Sequence, residues 1–400
     1  MAWTKEKVGR CALLMAVWIR SPAISAAQHS PASDSSATCL ADTACESQDT
    51  TDHVERAQSD QTDHPTTPEY PSLHLQGFGD FDLASQPKSE GARGFSEGQF
   101  VLHMMSELSR RVNFFAELSW IPRADGETGS PPAPTYNPAV ERAFIRFDHS
   151  DLFKVSIGKF HTPINWWNTE FHHGQWLQTT ISRPEMVEFG GKFIPVHFVG
   201  ILVEGALPAG GWNVNYQAGV GNGRGTVISL PGDTGDASGA PAWVLNVFTK
   251  PDRAFGLRLG GSVYLDRILL PTGQEFHEHI VAAHAVWQKG NPEVIAEIAS
   301  IGHEELGGSL TTSNLAYYVQ AAYRLPQFGQ LWKPYYRFEH VHIDPTDVVF
   351  QAVPNLDGST FGVRYDISTY VALKGEYRVR QRVNIGPFTN GWFMQTSFTF

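Results

Sequence analysis

The chain has 400 residues, of which 42% are hydrophobic, 12% aromatic and 18% charged, a composition too apolar for a disordered protein and too polar for a bundle of membrane helices. The formal charge of −11 argues against nucleic acid as a partner, and three cysteines are too few for a disulfide scaffold. The 37 glycines and 25 phenylalanines instead favour many strands and many turns.

The first 27 residues have the pattern of a cleaved signal peptide. Lys5, Lys7 and Arg10 precede an apolar run at 11–19, and small residues at 25–27 suit cleavage. Residues 28–71 consist mainly of Ser, Thr, Asp, Gln and Pro, so we predict a disordered acidic periplasmic tail. Cys39 and Cys45 lie in this tail, and the sequence leaves open whether they pair.

Residues 72–400 alternate apolar and polar side chains with a period of two, the pattern of strands with one apolar face. In the last strand, Trp392, Met394 and Phe398 share one face, while Gln395 and Ser397 share the other. The pattern predicts sixteen strands, an even number as in single-chain outer-membrane barrels. They are 72–83, 95–108, 111–121, 139–148, 151–160, 193–207, 212–221, 241–250, 254–266, 277–288, 292–303, 313–324, 332–343, 357–367, 370–380 and 391–400.

The connections between these strands alternate in length, which favours a transmembrane antiparallel β-barrel with short periplasmic turns and long extracellular loops. A closed barrel is expected because an open sheet would leave edge N–H and C=O groups unpaired in lipid. The short links are 109–110, 149–150, 208–211, 251–253, 289–291, 325–331 and 368–369. The longer ones are 84–94, 122–138, 161–192, 222–240, 267–276, 304–312, 344–356 and 381–390.

The chain resembles Gram-negative outer-membrane porins, and most of all the phosphate-selective porin O and P family. The resemblance rests on the sixteen-strand pattern, on the terminal Thr399 and Phe400, and on the stretch from Val155 to Pro163 before a long loop. It implies passive diffusion of small hydrophilic solutes or ions, anions such as phosphate among them. It also implies an outer-membrane location in contact with lipid, a homotrimer, and recognition of the Phe400 strand by the barrel assembly machinery.

Strand parity places basic residues on the lumen face, where rings or ladders of charge set selectivity in channels. The other interpretation is a solvated interior in which these residues pair with the nearly equal number of lumen carboxylates. The candidate pore-lining residues are Arg142, Arg146, Lys154, Arg258, Arg337, Arg364, Lys374 and Arg378.

The loop from His161 to Lys192 is too aromatic to stay exposed to water. It could be an external lid on neighbouring loops, or it could fold into the barrel and narrow it, and its rings could also stack against sugars. Histidines in it would change charge between about pH 5 and 8. The candidate constriction residues are Trp166, Trp167, Glu170, His172, His173 and Trp176.

The sequence has no complete motif for an enzyme active site, a cofactor or a metal ion. We therefore expect no catalytic activity, no bound cofactor and no metal site. Residues 219–225 lack the spacing of a dinucleotide loop, and His303 is not followed by the second histidine of a zinc protease. Strand parity turns His279, His340 and His342 outward, which disfavours them as metal ligands. The alternative function is a plugged, non-conducting barrel that binds a surface ligand, a sugar or a metal.

Overall fold

The computed structural model describes residues 69–88, 91, 93–122, 136–171, 173–188, 192–288, 291–382 and 388–400. The predicted signal peptide, nearly all of the predicted tail, Cys39, Cys45 and His172 lie outside the described residues. Within the described part of the chain, no helix has the length and apolar character needed to cross a membrane.

The sixteen strands of the described residues form one closed antiparallel barrel. The predicted fold is therefore confirmed. The strands are β1 (His74–Ser85), β2 (Gly94–Ser109), β3 (Val112–Pro122), β4 (Tyr136–Ser150), β5 (Phe153–His161), β6 (His197–Leu207), β7 (Val214–Asn222), β8 (Ala242–Thr249), β9 (Leu257–Leu269), β10 (Glu275–Trp287), β11 (Glu293–Glu305), β12 (Thr311–Ala322), β13 (Trp332–His342), β14 (Leu356–Asp366), β15 (Val371–Arg382) and β16 (Thr389–Thr399).

The last strand closes the barrel by pairing with the first. The register of β1 and β16 runs from Phe78 opposite Thr399 to Ser85 opposite Trp392. At the seam, the Gly77 and Phe400 backbones exchange two hydrogen bonds of 2.9 and 3.0 Å. The ring of sixteen paired strands therefore has no open edge that lipid would leave without partners.

Side chains alternate between the two faces of the wall, as the period of two predicts. On β10, Ile280 is fully buried inside the barrel, whereas the next residue, Val281, is 57% exposed outside it. Ile157 on β5 and Phe361 on β14 are likewise exposed outward. An apolar belt of this extent is what lipid covers in a transmembrane barrel.

Two of the predicted longer links are much shorter in the structure. Strands β9 to β12 run further than expected, so the predicted longer links 267–276 and 304–312 shrink to residues 270–274 and 306–310. Because each strand there pairs along nearly its whole length, backbone groups that the sequence assigned to loops join the ladder.

The inner faces of β8–β14 carry an apolar core. A barrel of sixteen strands is wide enough to close around water, so this core is not required to close the wall. This core packs against the β5–β6 loop, residues 162–196, of which 172 and 189–191 are outside the described part. The main contributors from the loop are Ile164, Trp166, Trp167, Met186, Val187, Phe193 and Ile194, and those from the strands are Val244, Tyr264, Ile280, Ile295, Ile301, Tyr318 and Val341.

Candidate functional site

The β5–β6 loop enters the barrel at a single helical turn, α1 (Trp167–Glu170). Trp167 is fully buried, and its ring lies 5.0 Å from that of Phe171 and 6.0 Å from that of Tyr318 on β12. The backbone N–H groups of Trp166 and Trp167 donate to Glu297 Oε1 on β11 at 2.8 and 2.7 Å. The loop therefore lies inside the barrel rather than over its mouth.

Three of the predicted pore-lining cations on β13–β15 hold the backbone of this loop, namely Arg337, Arg364 and Lys374. Each points inward and donates to loop carbonyls, which leaves less of its charge for a passing ion. Arg337 reaches the carbonyls of Ser182 and Arg183 at 2.8 and 2.9 Å, Arg364 those of Trp176 and Gln178 at 2.6 and 3.0 Å, and Lys374 that of Thr180 at 3.2 Å. The Arg364 guanidinium also lies 5.6 Å from the Trp176 ring.

Carboxylates on the same wall accept the N–H and hydroxyl groups of the loop. Glu376 Oε2 accepts the N–H of Ile181 at 2.9 Å, and Glu339 Oε2 accepts that of Glu185 at 2.8 Å. Nearer α1, the predicted residues Arg258 and Glu170 form an ion pair of 2.9 Å. The β9–β15 wall thus grips the loop through charge-assisted hydrogen bonds of both signs, which are the stronger kind.

One cation belongs to the loop itself and supports its fold. Arg183 donates to the carbonyls of Val187 and Phe171, both at 2.9 Å. Burial lowers the pKa of Arg183 to about 10, despite the opposing influence of Glu188 and Glu117. The guanidinium therefore remains charged at neutral pH.

A second group of charged and polar side chains lines the inner faces of β3–β6, and we call it the polar track. Its members are Asn113, Glu117, Arg142, Arg146, Asp148, Lys154 and Glu204, which include three of the predicted pore-lining cations. Arg146 pairs with Asp148 at 2.8 Å and with Glu204 at 3.6 Å, while Lys154 lies opposite Glu204 in the strand register. The track therefore carries both signs of charge along one side of the lumen.

The remaining predicted cation, Arg378, lies on β15 toward the end of the barrel that carries the long loops. Its guanidinium stacks 3.6 Å from the Phe393 ring and pairs with Glu376. It lines a cavity of about 140 Å³ together with Arg380 and Asn390. This position is on the rim rather than on the polar track.

The tip of the β5–β6 loop reaches the opposite wall through His173. Its Nδ1 lies 2.8 Å from Gln99 Oε1 on β2, and its Nε2 lies 3.2 Å from Glu141 Oε1 on β4. Glu141 Oε2 in turn lies 3.3 Å from His197 Nε2 on β6. His173, Glu141 and His197 border a cavity of about 280 Å³ that is also lined by Lys159 and Asp233.

Strict alternation misses Glu141, because it shares the outward parity of Ala143 and Ile145. The ladder pairs Glu117 with Arg142 and Leu118 with Val140, so Glu141 is the extra residue of a β-bulge. The bulge turns Glu141 and Arg142 to the same side of the wall. The one signal in the sequence is a carboxylate at a position that should face lipid.

Two further loops fold over the apolar half of the barrel mouth. Arg224 of the β7–β8 loop pairs with Glu278 at 2.9 Å, and His303 bridges Glu278 at 3.1 Å to Asp347 of the β13–β14 loop at 2.7 Å. Burial would raise the pKa of Asp347, but hydrogen bonds from His303 and Asn314 hold it well below its ordinary value. Asp347 therefore stays ionised over the neutral range.

The described residues contain no group of three or more His, Cys, Asp or Glu side chains arranged to hold a metal ion. The histidines assigned outward by parity do point outward: His279 and His342 are exposed, and His340 pairs with Asp357 at 2.6 Å on that face. His172 is outside the described part of the chain, so its assignment to the constriction stays a prediction.

No family model matches the chain, and no curated protein matches it. Among solved structures it is similar to an anion-selective porin from Comamonas acidovorans, with 12% identity over 82% of this chain and 100% of that one and a TM-score of 0.59. It is also similar to the outer membrane channel DcaP of Acinetobacter baumannii, with 12% identity, coverage of 82% and 97%, and a TM-score of 0.54. Salmonella typhi OmpF in complex with daunomycin gives 10% identity, coverage of 82% and 97%, and a TM-score of 0.53. The chain therefore has the fold of Gram-negative outer-membrane porins.

Proposed function

We propose that the chain is a porin of a Gram-negative outer membrane and lets small hydrophilic solutes or ions diffuse passively through its barrel. The polar track carries this proposal, because a charged inner wall inside an apolar outer belt is the arrangement of a water-filled barrel. The known structures with this fold include an anion-selective porin and an outer membrane channel, which supports the same function.

The finer part of the proposal concerns selectivity. Arg142, Arg146 and Lys154 on the track, together with the resemblance to phosphate-selective porins, favour anions such as phosphate. The partners Glu117, Asp148 and Glu204 offset much of that positive field. We therefore expect an anion preference that is weak rather than steep.

Single-channel recording of the purified chain in planar bilayers tests both parts. We expect conductance steps. Under a salt gradient, we expect a reversal potential whose sign indicates anion preference and whose magnitude decreases when phosphate is added. Absence of conductance over a range of salt concentrations would reject the porin, whereas a cation preference would reject only the phosphate assignment.

The second candidate is a plugged barrel that binds a ligand without conducting. Its support is the lack of any exposed surface on Glu117, together with the β5–β6 loop, which fills the β8–β14 half with an apolar core. Under either candidate function, we propose no catalytic role for the chain. The same bilayer recording separates the two, because a plugged barrel gives no conductance steps.

Assembly is part of the proposal as well. A homotrimer is supported by the similar fold of the Vibrio cholerae outer membrane protein OmpT, whose structure in a trimer form has a TM-score of 0.52. The exposed ring of Phe400 at the barrel seam is the feature that the assembly machinery would recognise. A single-barrel mass in native detergent measurements would reject the trimer.

A further inference from the structure

The β5–β6 loop contacts the two sides of the lumen in different ways. On the β9–β15 side, ion pairs and backbone hydrogen bonds grip it from α1 to Glu185. On the β1–β4 side, it presents the side chain of His173 and the backbone of Gly174, which lies so close that a Cβ there would be 3.1 Å from Phe78. In the described part of the loop, His173 is the titratable side chain that meets both β2 and β4.

His173 belongs to a cluster of four imidazoles around two carboxylates. Glu141 lies between His173 and His197, while Glu117 on β3 lies 3.5 Å from His103 and 3.9 Å from His161. Five strands and the β5–β6 loop contribute to it, and the β7–β8 loop adds Arg224 and Asp233 at the adjoining cavity. The charged, titratable or polar groups that face it are Gln99 and His103 from β2, Glu117 and Ser119 from β3, Glu141 and Arg142 from β4, Lys159 and His161 from β5, His197 from β6, and His173 and Arg183 from the loop.

The cluster lies where the polar track is closed. On one side is the cavity of about 280 Å³ lined by Glu141, His173 and His197. On the other side, Glu204 is accessible, with 24% of its side chain exposed. Between them Glu117 has no exposed surface and His161 is 6% exposed, so a solute on the track would have to pass this point.

We propose that His173 is a latch that holds the tip of the β5–β6 loop on the β2–β4 wall and closes the polar track, and that protonation of His173 strengthens the closed state. The inference rests on the proposed porin function and names the regulation of its pathway.

The charge of the His173 ring decides its contact with Glu141. The Gln99 carbonyl oxygen accepts a hydrogen bond from Nδ1, which a neutral ring can also donate. The carboxylate of Glu141, 3.2 Å from Nε2, forms an ion pair with the ring only when the ring is protonated. The closed state is therefore stabilised in acid and weakened over the pH range in which histidines lose a proton.

Two substitutions at His173 separate its protonation from its bulk. We expect the mean conductance of the wild type to rise at least about threefold from pH 6 to pH 8, within the range over which histidines titrate. His173→Ala removes the latch and should give the high conductance at both pH values. His173→Gln keeps an amide donor that does not titrate, so its conductance should be the same at pH 6 and pH 8.

His279→Gln is the matched control, because His279 points outward from β10 and should leave the pH response intact. A wild-type conductance that does not depend on pH, or a His173→Gln variant that keeps the full response, would overturn the latch while leaving the porin function standing.

If the barrel conducts under no condition, the porin proposal fails and thiol labelling still tests the latch. Leu177→Cys, placed in a chain whose Cys39 and Cys45 are replaced by Ser, lies next to Gly174 in the loop. At pH 6, we expect a water-soluble maleimide to modify it several-fold faster when His173 is also replaced by Ala. Equal rates with and without His173 would reject the latch.

Discussion

Trp167→Ala tests how firmly the β5–β6 loop is held in the barrel. The side chain has no exposed surface and packs between Phe171 and Tyr318, so truncation leaves a cavity in the apolar core. Such Trp→Ala changes cost about 3–5 kcal/mol. Since about 1.4 kcal/mol is a factor of ten, the ratio of detached to docked loop should rise by about 100-fold or more.

The strand ladder is untouched by this change, because it does not depend on the side chain of Trp167. We therefore expect the variant to keep the heat-modifiable gel migration of a folded barrel, to show larger and noisier single-channel conductance, and to be cut in the loop by a protease that spares the wild type. Trp243→Ala is the matched control, since Trp243 is 56% exposed on the outside of β8.

The reasoning is refuted if Trp167→Ala matches both the wild type and Trp243→Ala in conductance and in loop proteolysis. That result would mean that the remaining hydrogen bonds of the loop, including those that its backbone N–H groups donate to Glu297, hold it without the apolar core.

Three further outcomes are expected. Deleting residues 165–178 should enlarge the single-channel conductance, and an unchanged conductance and pH response would place the loop outside the pathway. Arg142→Gln should move the reversal potential under a salt gradient toward cation preference. Arg364→Gln, which removes the hydrogen bonds from the guanidinium to the loop carbonyls, should chiefly increase current noise. Asp347→Asn should lower the free energy that stabilises the folded β13–β14 loop by about 1.5–3 kcal/mol, the contribution of a hydrogen bond to a charged group. Because the pKa of Asp347 is depressed, its contribution should be complete above about pH 4 and decline progressively as the pH falls further, and calorimetry in detergent from pH 8 to pH 3 would detect the start of that decline.

The sequence alone determined the barrel. Alternation of side chains is a local property of each strand, and one wet face and one apolar face leave few arrangements other than closure in lipid. The strand bounds differ from the prediction by a few residues, as at β13, predicted at 332–343 and found at Trp332–His342. Inward placement of Arg142, Arg337 and Lys374 also follows from parity.

The tertiary structure decided what the inward residues contact. Arg364 and the Trp176 carbonyl are 188 positions apart in the chain, and no local pattern predicts that they meet. The bulge that turns Glu141 inward depends on its pairing with β3, and the latch cluster unites five strands and a loop. Periodicity assigns a face to each side chain, but the partners across the lumen are set by how a long loop folds into the space that the closed wall encloses.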